Sequence, residues 1–180
     1  MIEQAKKKGF TDLLLFYEKN GIPRKYTNVA TNHHYADSLI LSHLPDGPTA
    51  NFRVSSMKLR SKIFNHGAAP GDSNPELILN NFDTMLGHRI GRMLASLFPQ
   101  IPNVRARRII TLHNQRDFIF FRQHRYQFNE NGTRADLVEC GPRFTLKLKS
   151  LQLGTLDSKA GEFEFIWKPR DGVNRKKFSL

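Results

Sequence analysis

Nine basic side chains stand close enough in sequence to build a phosphate-binding surface. Arg105, Arg107 and Arg108 form one cluster, Arg116, Arg122 and Arg125 flank a second stretch, and Arg143, Lys147 and Lys149 belong to a third. Arginine suits phosphate because its planar fork donates two hydrogen bonds to one group and keeps its charge at physiological pH. In residues 141–154, GPRFTLKLKSLQLG, the basic residues alternate with Phe144, Leu146 and Leu148. That is the period of a strand with one apolar and one basic face, so Arg143, Lys147 and Lys149 are expected to point away from the core. Phe121 and Tyr126 are candidates to stack on bases.

Other chemistry finds less support. Cys140 is the only cysteine; with His113 or His124 as base it would make a thiol nucleophile, but no local signature accompanies it, and a packed thiol is the plainer reading. His33, His34, Asp37 and His43 have metal-like spacing, yet adjacent histidines diverge and the surrounding stretch is polar, as in a solvated loop. Neither GxxxxGK[ST] nor GxGxxG occurs. The expectation is no catalytic residue, no metal and no cofactor. A net charge of +12 favours a polyanionic partner, with nucleic acid ahead of an anionic membrane surface. The excess is +2 over residues 1–83 and +10 over residues 84–180. One cysteine excludes an intramolecular disulfide and suits a reducing compartment. No apolar run is long enough to cross a bilayer as a helix.

The elements that must position these residues follow in order. Residues 2–8 read as a short helix stopped by Gly9. TDLLLFYE, with its contiguous apolar run, predicts a strand covered on both faces in the middle of a sheet. A long polar excursion from Asn20 ends at Ser38; SLILSHLP is the next strand, and Asp46-Gly47-Pro48 turns into TANFRVSSMKLR. Here a repeat emerges. Gly47-Pro48 and Gly141-Pro142 are 94 residues apart, and at that offset Phe52 meets Leu146, Val54 meets Leu148 and Met57 meets Leu151. The alternation breaks at Ser56 in one copy and Ser150 in the other, which predicts a bulge or bend. Asp12–Tyr17 and Arg108–His113 match at an offset of 96. Duplication is the simplest account.

A helix is predicted from about Thr84 to Phe98, with Leu86, Ile90, Leu94, Leu97 and Phe98 as its buried stripe. Gly87, Gly91 and Ala95 make a smooth ridge where another backbone, or a phosphate, can approach closely. Asn114–Asp117 predicts a turn between two strands, and Asn131-Gly132 a tight hairpin rather than a glycosylation acceptor. In EFEFIWK, Phe163, Phe165 and Trp167 share a face, and the chain closes on a basic tail with Arg170, Arg175, Lys176 and Lys177. The fold class expected is α/β, in two structurally repeated halves over residues 1–83 and 84–180. Each would be a mixed β-sheet flanked by helices, the second strongly basic. The second half opens with a long helix that the first lacks, so the chain is expected to begin inside its first repeat.

LILSHLPDGPTANF, LGHRIGRMLASLFPQ, HNQRDFIFFRQHRY and ECGPRFTLKLKSLQLGTLDSKAGEFEF resemble the Brix-domain family of ribosome assembly proteins. The resemblance covers nearly the whole chain. It implies a nucleolar, non-enzymatic factor that binds precursor rRNA during large (60S) subunit assembly, within the pre-60S particle and beside a second assembly factor. It also implies two halves, each similar to anticodon-binding domains of aminoacyl-tRNA synthetases. Arg143 of the Gly-Pro-Arg-Phe motif, with Lys147 and Lys149, would carry the RNA contact. Two departures stand out: Pro23–Asp37 is longer than the family's short turn, and the opening strand and helix are missing. Alternatives remain a small-subunit factor acting with a nucleolar RNA particle, a protein-binding scaffold, and an enzyme. The basic residues lie on strands and loops without a sequence-reading module, so structured RNA should be recognised by shape and backbone.

Overall fold

The computed structural model describes residues 2–17, 38–69, 71–156, 161–168 and 178–180. Its helices are α1 (Ile2–Lys7) and α2 (Met85–Ala95). Its strands are β1 (Asp12–Tyr17), β2 (Ser38–His43), β3 (Thr49–Lys58), β4 (Glu76–Asn80), β5 (Arg108–Gln115), β6 (Phe118–Phe128), β7 (Ala135–Glu139), β8 (Arg143–Gln152) and β9 (Phe163–Ile166). The excursion from Asn20 to Asp37, with His33 and His34, and the tail residues Arg170, Arg175, Lys176 and Lys177 lie outside the described residues.

The chain forms two compact units: Met1–Ser55 with Leu148–Val173, and Ser56–Lys147 with Asn174–Leu180. They do not divide at residue 83 as expected. The physical reason is the long strand β8, whose second half, from Leu148, adds to the strands of the first unit rather than ending with the second.

In the first unit the strand order is β1-β2-β3-β8, with β9 on β8. β1 runs antiparallel to β2, and β2 to β3. Alternation drives the packing: Leu39, Leu41, Ala50, Phe52, Val54 and Leu151 are buried together as the core. Gly47 turns the β2–β3 hairpin where a Cβ would lie 2.5 Å from the Cβ of His43, so only glycine fits. Buried Ser42 and Thr49 satisfy each other at 2.8 Å. Two expectations change here. β1 lies at the end of the strand order, and Leu14, Phe16 and Tyr17 are exposed rather than covered on both faces. A contiguous apolar run does not by itself distinguish two covered faces from one. Among the described residues of this unit, the helix α1 buries no residue and so packs no stripe on the sheet.

In the second unit the order is β8-β6-β5-β4, with β7 also paired to β6. β4 and β5 are parallel and the other pairs antiparallel, which makes the sheet mixed. β5 and β6 join through Arg116 and Asp117, with φ of 54° and 63°. Two consecutive positive φ values suit a two-residue hairpin, because that backbone twist matches the strands. The β6–β7 turn is organised by Asn129 rather than Asn131: its carbonyl side chain accepts the Thr133 and Arg134 amides at 3.1 Å each.

α2 starts at Thr84, whose hydroxyl accepts the Gly87 amide at 2.8 Å. It ends at Ala95, shorter than expected, and buries Gly87, Ile90, Gly91, Met93 and Leu94, leaving Leu86, Leu97 and Phe98 half-buried. The small-residue ridge serves packing. A Cβ on Gly87 would sit 2.9 Å from the Leu180 carbonyl carbon, and Thr84 Oγ1 donates to Ser179 O at 2.7 Å. Asp117 completes the anchorage by accepting the Ser179 and Leu180 amides at 2.7 and 2.9 Å.

The phase break is real in both long strands. Burial alternates through Leu146 and Leu148 and then skips to Leu151, and in β3 Ser56 adopts φ 52° after Val54. The apolar sets resume only in part, because Leu59 and Leu153 are exposed.

Candidate nucleic-acid interface

Strand β8 presents its basic residues as the alternation requires, but each has a local partner. Arg143 Nη1 lies 3.3 Å from Glu139 Oε2, with both side chains half-buried or less exposed. Lys147 Nζ sits 4.7 Å above the Phe118 ring and Lys149 Nζ 3.6 Å above Trp167. Thr145, between them on the same face, is buried. Lys147 belongs to the second unit and Lys149 to the first. In each unit, therefore, a lysine of β8 rests on an aromatic ring.

Within the second unit the register extends the Lys147 side across the strands. Lys147 is opposite Phe118, and Thr145 opposite Phe120, while Arg122 is opposite Thr111 and Phe120 opposite His113. Phe118, Phe120 and Arg122 thus share the side of Lys147. The Arg122 guanidinium lies 5.5 Å from the Phe120 centroid, and its Nη1 donates to Phe121 O at 2.8 Å and Phe144 O at 3.3 Å. Burial pulls the Arg122 pKa down; Glu139 opposes this and Arg143 adds to it. His124 is likewise lowered from 6.5, first by burial, against the pull of Glu139 and with the push of Arg122. Glu139 is the local counter-charge for this corner.

The cluster before β5 divides. Arg105 is exposed in the 3₁₀ turn Val104–Ala106, and Arg107 closes that turn at φ 51°, also exposed. Arg108 turns inward. Its Nη1 donates to Gly71 O and Ser73 O at 2.8 Å each. With the Gln123 amide oriented to satisfy both its ends, the Gln123 oxygen accepts from Arg108 Nη2 at 2.9 Å and Nε at 2.6 Å. Arg116 is exposed at the hairpin tip, and Arg125 is exposed on the opposite strand face from Arg122. The nine residues do not make one surface: Arg105, Arg107, Arg116 and Arg125 face solvent, Arg108 and Arg122 are held by protein carbonyls, and β8 carries the rest.

The base-stacking candidates change too. Phe121 is stacked on Phe144, with centroids 4.4 Å apart and planes 5° from parallel. Tyr126 is buried, and its hydroxyl donates to Glu76 at 2.7 Å, which raises its pKa. Phe118 and Phe120 hold the half-exposed positions instead. The alternation of FIFFR carried that signal, since Phe118, Phe120 and Arg122 differ by two.

Cys140 is buried, with Sγ 3.6 Å from Val138 O and neither His113 nor His124 as a partner. His43 Nδ1 pairs with the Asp12 carboxylate. Among the described residues no group of His, Cys, Asp and Glu is arranged to hold a metal.

Residues 2–150 match the family model of the Brix domain. The chain is 50% identical over its whole length to ribosome production factor 1 of Pongo abelii and 48% identical to that of Danio rerio. It is 43% identical over 99% of its length to a Brix domain-containing protein of Schizosaccharomyces pombe. It spans 48%, 51% and 55% of those proteins, so about half of each relative's length lies outside the match. The chain belongs to the Brix domain family.

Proposed function

We propose, from that membership, that this chain is part of a non-enzymatic ribosome biogenesis factor that binds precursor rRNA during large-subunit assembly. It would act in the nucleolus, within the pre-60S particle and beside a second assembly protein. The observation that carries the RNA reading is the set Arg105, Arg107, Arg116 and Arg125. These exposed cations all lie in the second unit and have no carboxylate ion-paired to them among the described residues. Exposed unpaired arginine is where phosphate is bound at least desolvation cost. The names of the relatives supply the ribosomal context.

We also infer that the two strand sets descend from one. β3 and β8 are each ten residues long and start 94 apart, and β1 and β5 start 96 apart. Each set has its middle strand, β2 or β6, between the two matching ones. Likeness to anticodon-binding domains follows from the family resemblance and would be tested by superposing the two sets.

The direct experiment is crosslinking with sequencing of the attached RNA, together with binding of the recovered fragment as a function of salt. Large-subunit precursor sequences and a steep salt slope are expected. Recovery of small-subunit precursor would favour the other branch of the family. A flat salt slope would favour a protein-docking scaffold.

A further inference from the structure

The stretch from Gly67 to Ser73 crosses from β7 to the start of β5, and its described residues are pinned at both ends. The Gly67 amide donates to Glu139 O at 2.8 Å, and Arg60 Nε donates to Gly67 O at 3.0 Å. At the other end Arg108 holds Gly71 O and Ser73 O. Beside this strap lies a hollow of about 490 Å³ whose lining includes Gly67, Ala68, Arg107, Arg125, Val138 and Cys140. A second hollow of about 290 Å³ shares Ala68, Arg125 and Cys140 with it. The larger falls within the roughly 300–1,000 Å³ of single-ligand pockets.

Its charge is one-sided. Two arginines line the larger hollow, and among the described residues no carboxylate lines either. Arg108, at the smaller hollow, has its donors committed to the strap and to Gln123, whereas Arg107 and Arg125 have no ion pair among the described residues. Both side chains start from main chain that is hydrogen-bonded in place. Arg107 N donates to Val104 O at 3.1 Å and Arg107 O accepts from Tyr126 N at 3.0 Å, while Arg125 lies in the ladder between Arg108 and Val138. The rest of the lining, which includes Ala68, Val138, Cys140 and the Gln127 amide, is uncharged. The Tyr126 side chain, next along the strand from Arg125, is buried and turned to Glu76.

Two exposed arginines lining one nucleotide-sized hollow match a phosphate with a base attached. We propose that this hollow receives one unpaired nucleotide of an RNA chain, its phosphate between Arg107 and Arg125 and its base against the Val138 and Cys140 wall. The inference rests on the RNA reading above and deepens it, by making an unpaired residue the feature recognised. Beside the Val138 and Cys140 contact, the Gln127 amide is, among the described residues, the one neutral side chain of the lining with directed donors and an acceptor for a base edge.

The test compares a plain RNA hairpin with the same hairpin carrying one bulged nucleotide, by fluorescence anisotropy with the full chain. Wild type should bind the bulged hairpin more tightly by roughly fivefold or more, the value of one well-packed base. Ala68→Trp fills the hollow and should remove the preference while leaving affinity for the plain hairpin unchanged. Arg125→Gln should also remove it, and serves if Ala68→Trp fails to fold. Equal affinity of wild type for the two hairpins overturns this inference alone. So does an unchanged preference in folded Ala68→Trp. Binding of neither hairpin overturns the RNA reading and this inference with it. If uridine 5′-monophosphate binds at the hollow while the bulge confers no preference, the site takes free nucleotides and the assignment to a chain residue is wrong.

Discussion

Replacing Arg108 by Met should damage the fold and spare RNA binding, although the residue stands in the most arginine-dense stretch of the sequence. Methionine keeps the length and apolar stem and removes only the guanidinium. Three acceptors lose their donors: Gly71 O and Ser73 O, which lie near solvent, and the oxygen of Gln123, which is only 3% exposed. The two carbonyls can turn to water, at a loss of about half a typical bond each. The buried amide oxygen cannot, and an unsatisfied buried polar group costs about 1–3 kcal/mol. The sum is about 2–4 kcal/mol. Urea denaturation should show a lower midpoint for Arg108→Met, and Arg108→Lys should recover little, because one ammonium cannot span three acceptors held at these angles. At urea-free conditions where the variant is folded, the salt slope of RNA binding should equal that of wild type. A full unit lost from the slope, with stability changed by less than about 0.5 kcal/mol, would refute the argument and put Arg108 on phosphate.

Arg116→Gln should behave in the opposite way, with stability within about 0.5 kcal/mol of wild type and the salt slope shallower by roughly 0.7–0.9 if one phosphate contact is lost. Gly87→Ala should destabilise by about 1–3 kcal/mol, because its Cβ would press on the backbone of Leu180 at 2.9 Å and Phe82 at 3.2 Å; faster hydrogen exchange at Leu180 would be the local sign. His124 has a folded-state pKa below 6.5, so the folded form resists protonation. The stability this contributes is complete above pH 6.5 and is lost as pH falls through the lower, folded value. His124→Gln should flatten the acid side of the stability profile, and an NMR titration midpoint at or above 6.5 would contradict it.

The sequence made the strands of the second unit readable because alternation is a local property. Phe144, Leu146 and Leu148 against Arg143, Lys147 and Lys149 needed only a period of two. The two-residue turn at Arg116 and Asp117 was less visible, since neither residue is glycine or asparagine and the positive φ values are imposed by the strands on either side. The exposed edge at β1 was misjudged because burial is decided by what packs on a strand, and Leu13–Tyr17 contains no mark of that. The candidate site suffered from the same limit. Arg107 and Arg108 are adjacent in sequence, yet a left-handed residue at Arg107 separates their directions, sending one to solvent and the other to Gly71, Ser73 and Gln123. Residues 67–73, GAAPGDS, carry neither hydrophobic periodicity nor a binding motif, so the hollow beside them left no sequence signal.

The anchorage at Asp117 has a mechanical side. Its carboxylate is committed to the amides of Ser179 and Leu180, so the tip of the β5–β6 hairpin is moored to a remote part of the chain. Arg116 then sits on a hairpin tip tied down by two hydrogen bonds, next to an acid whose charge is already engaged. A cation held in this way loses less freedom when it meets a phosphate than one on a loose loop, and that saving appears as affinity. The same mooring runs in reverse: a pull on the hairpin tip by bound RNA would be felt at Ser179 and Leu180, and through Thr84 at the first turn of α2.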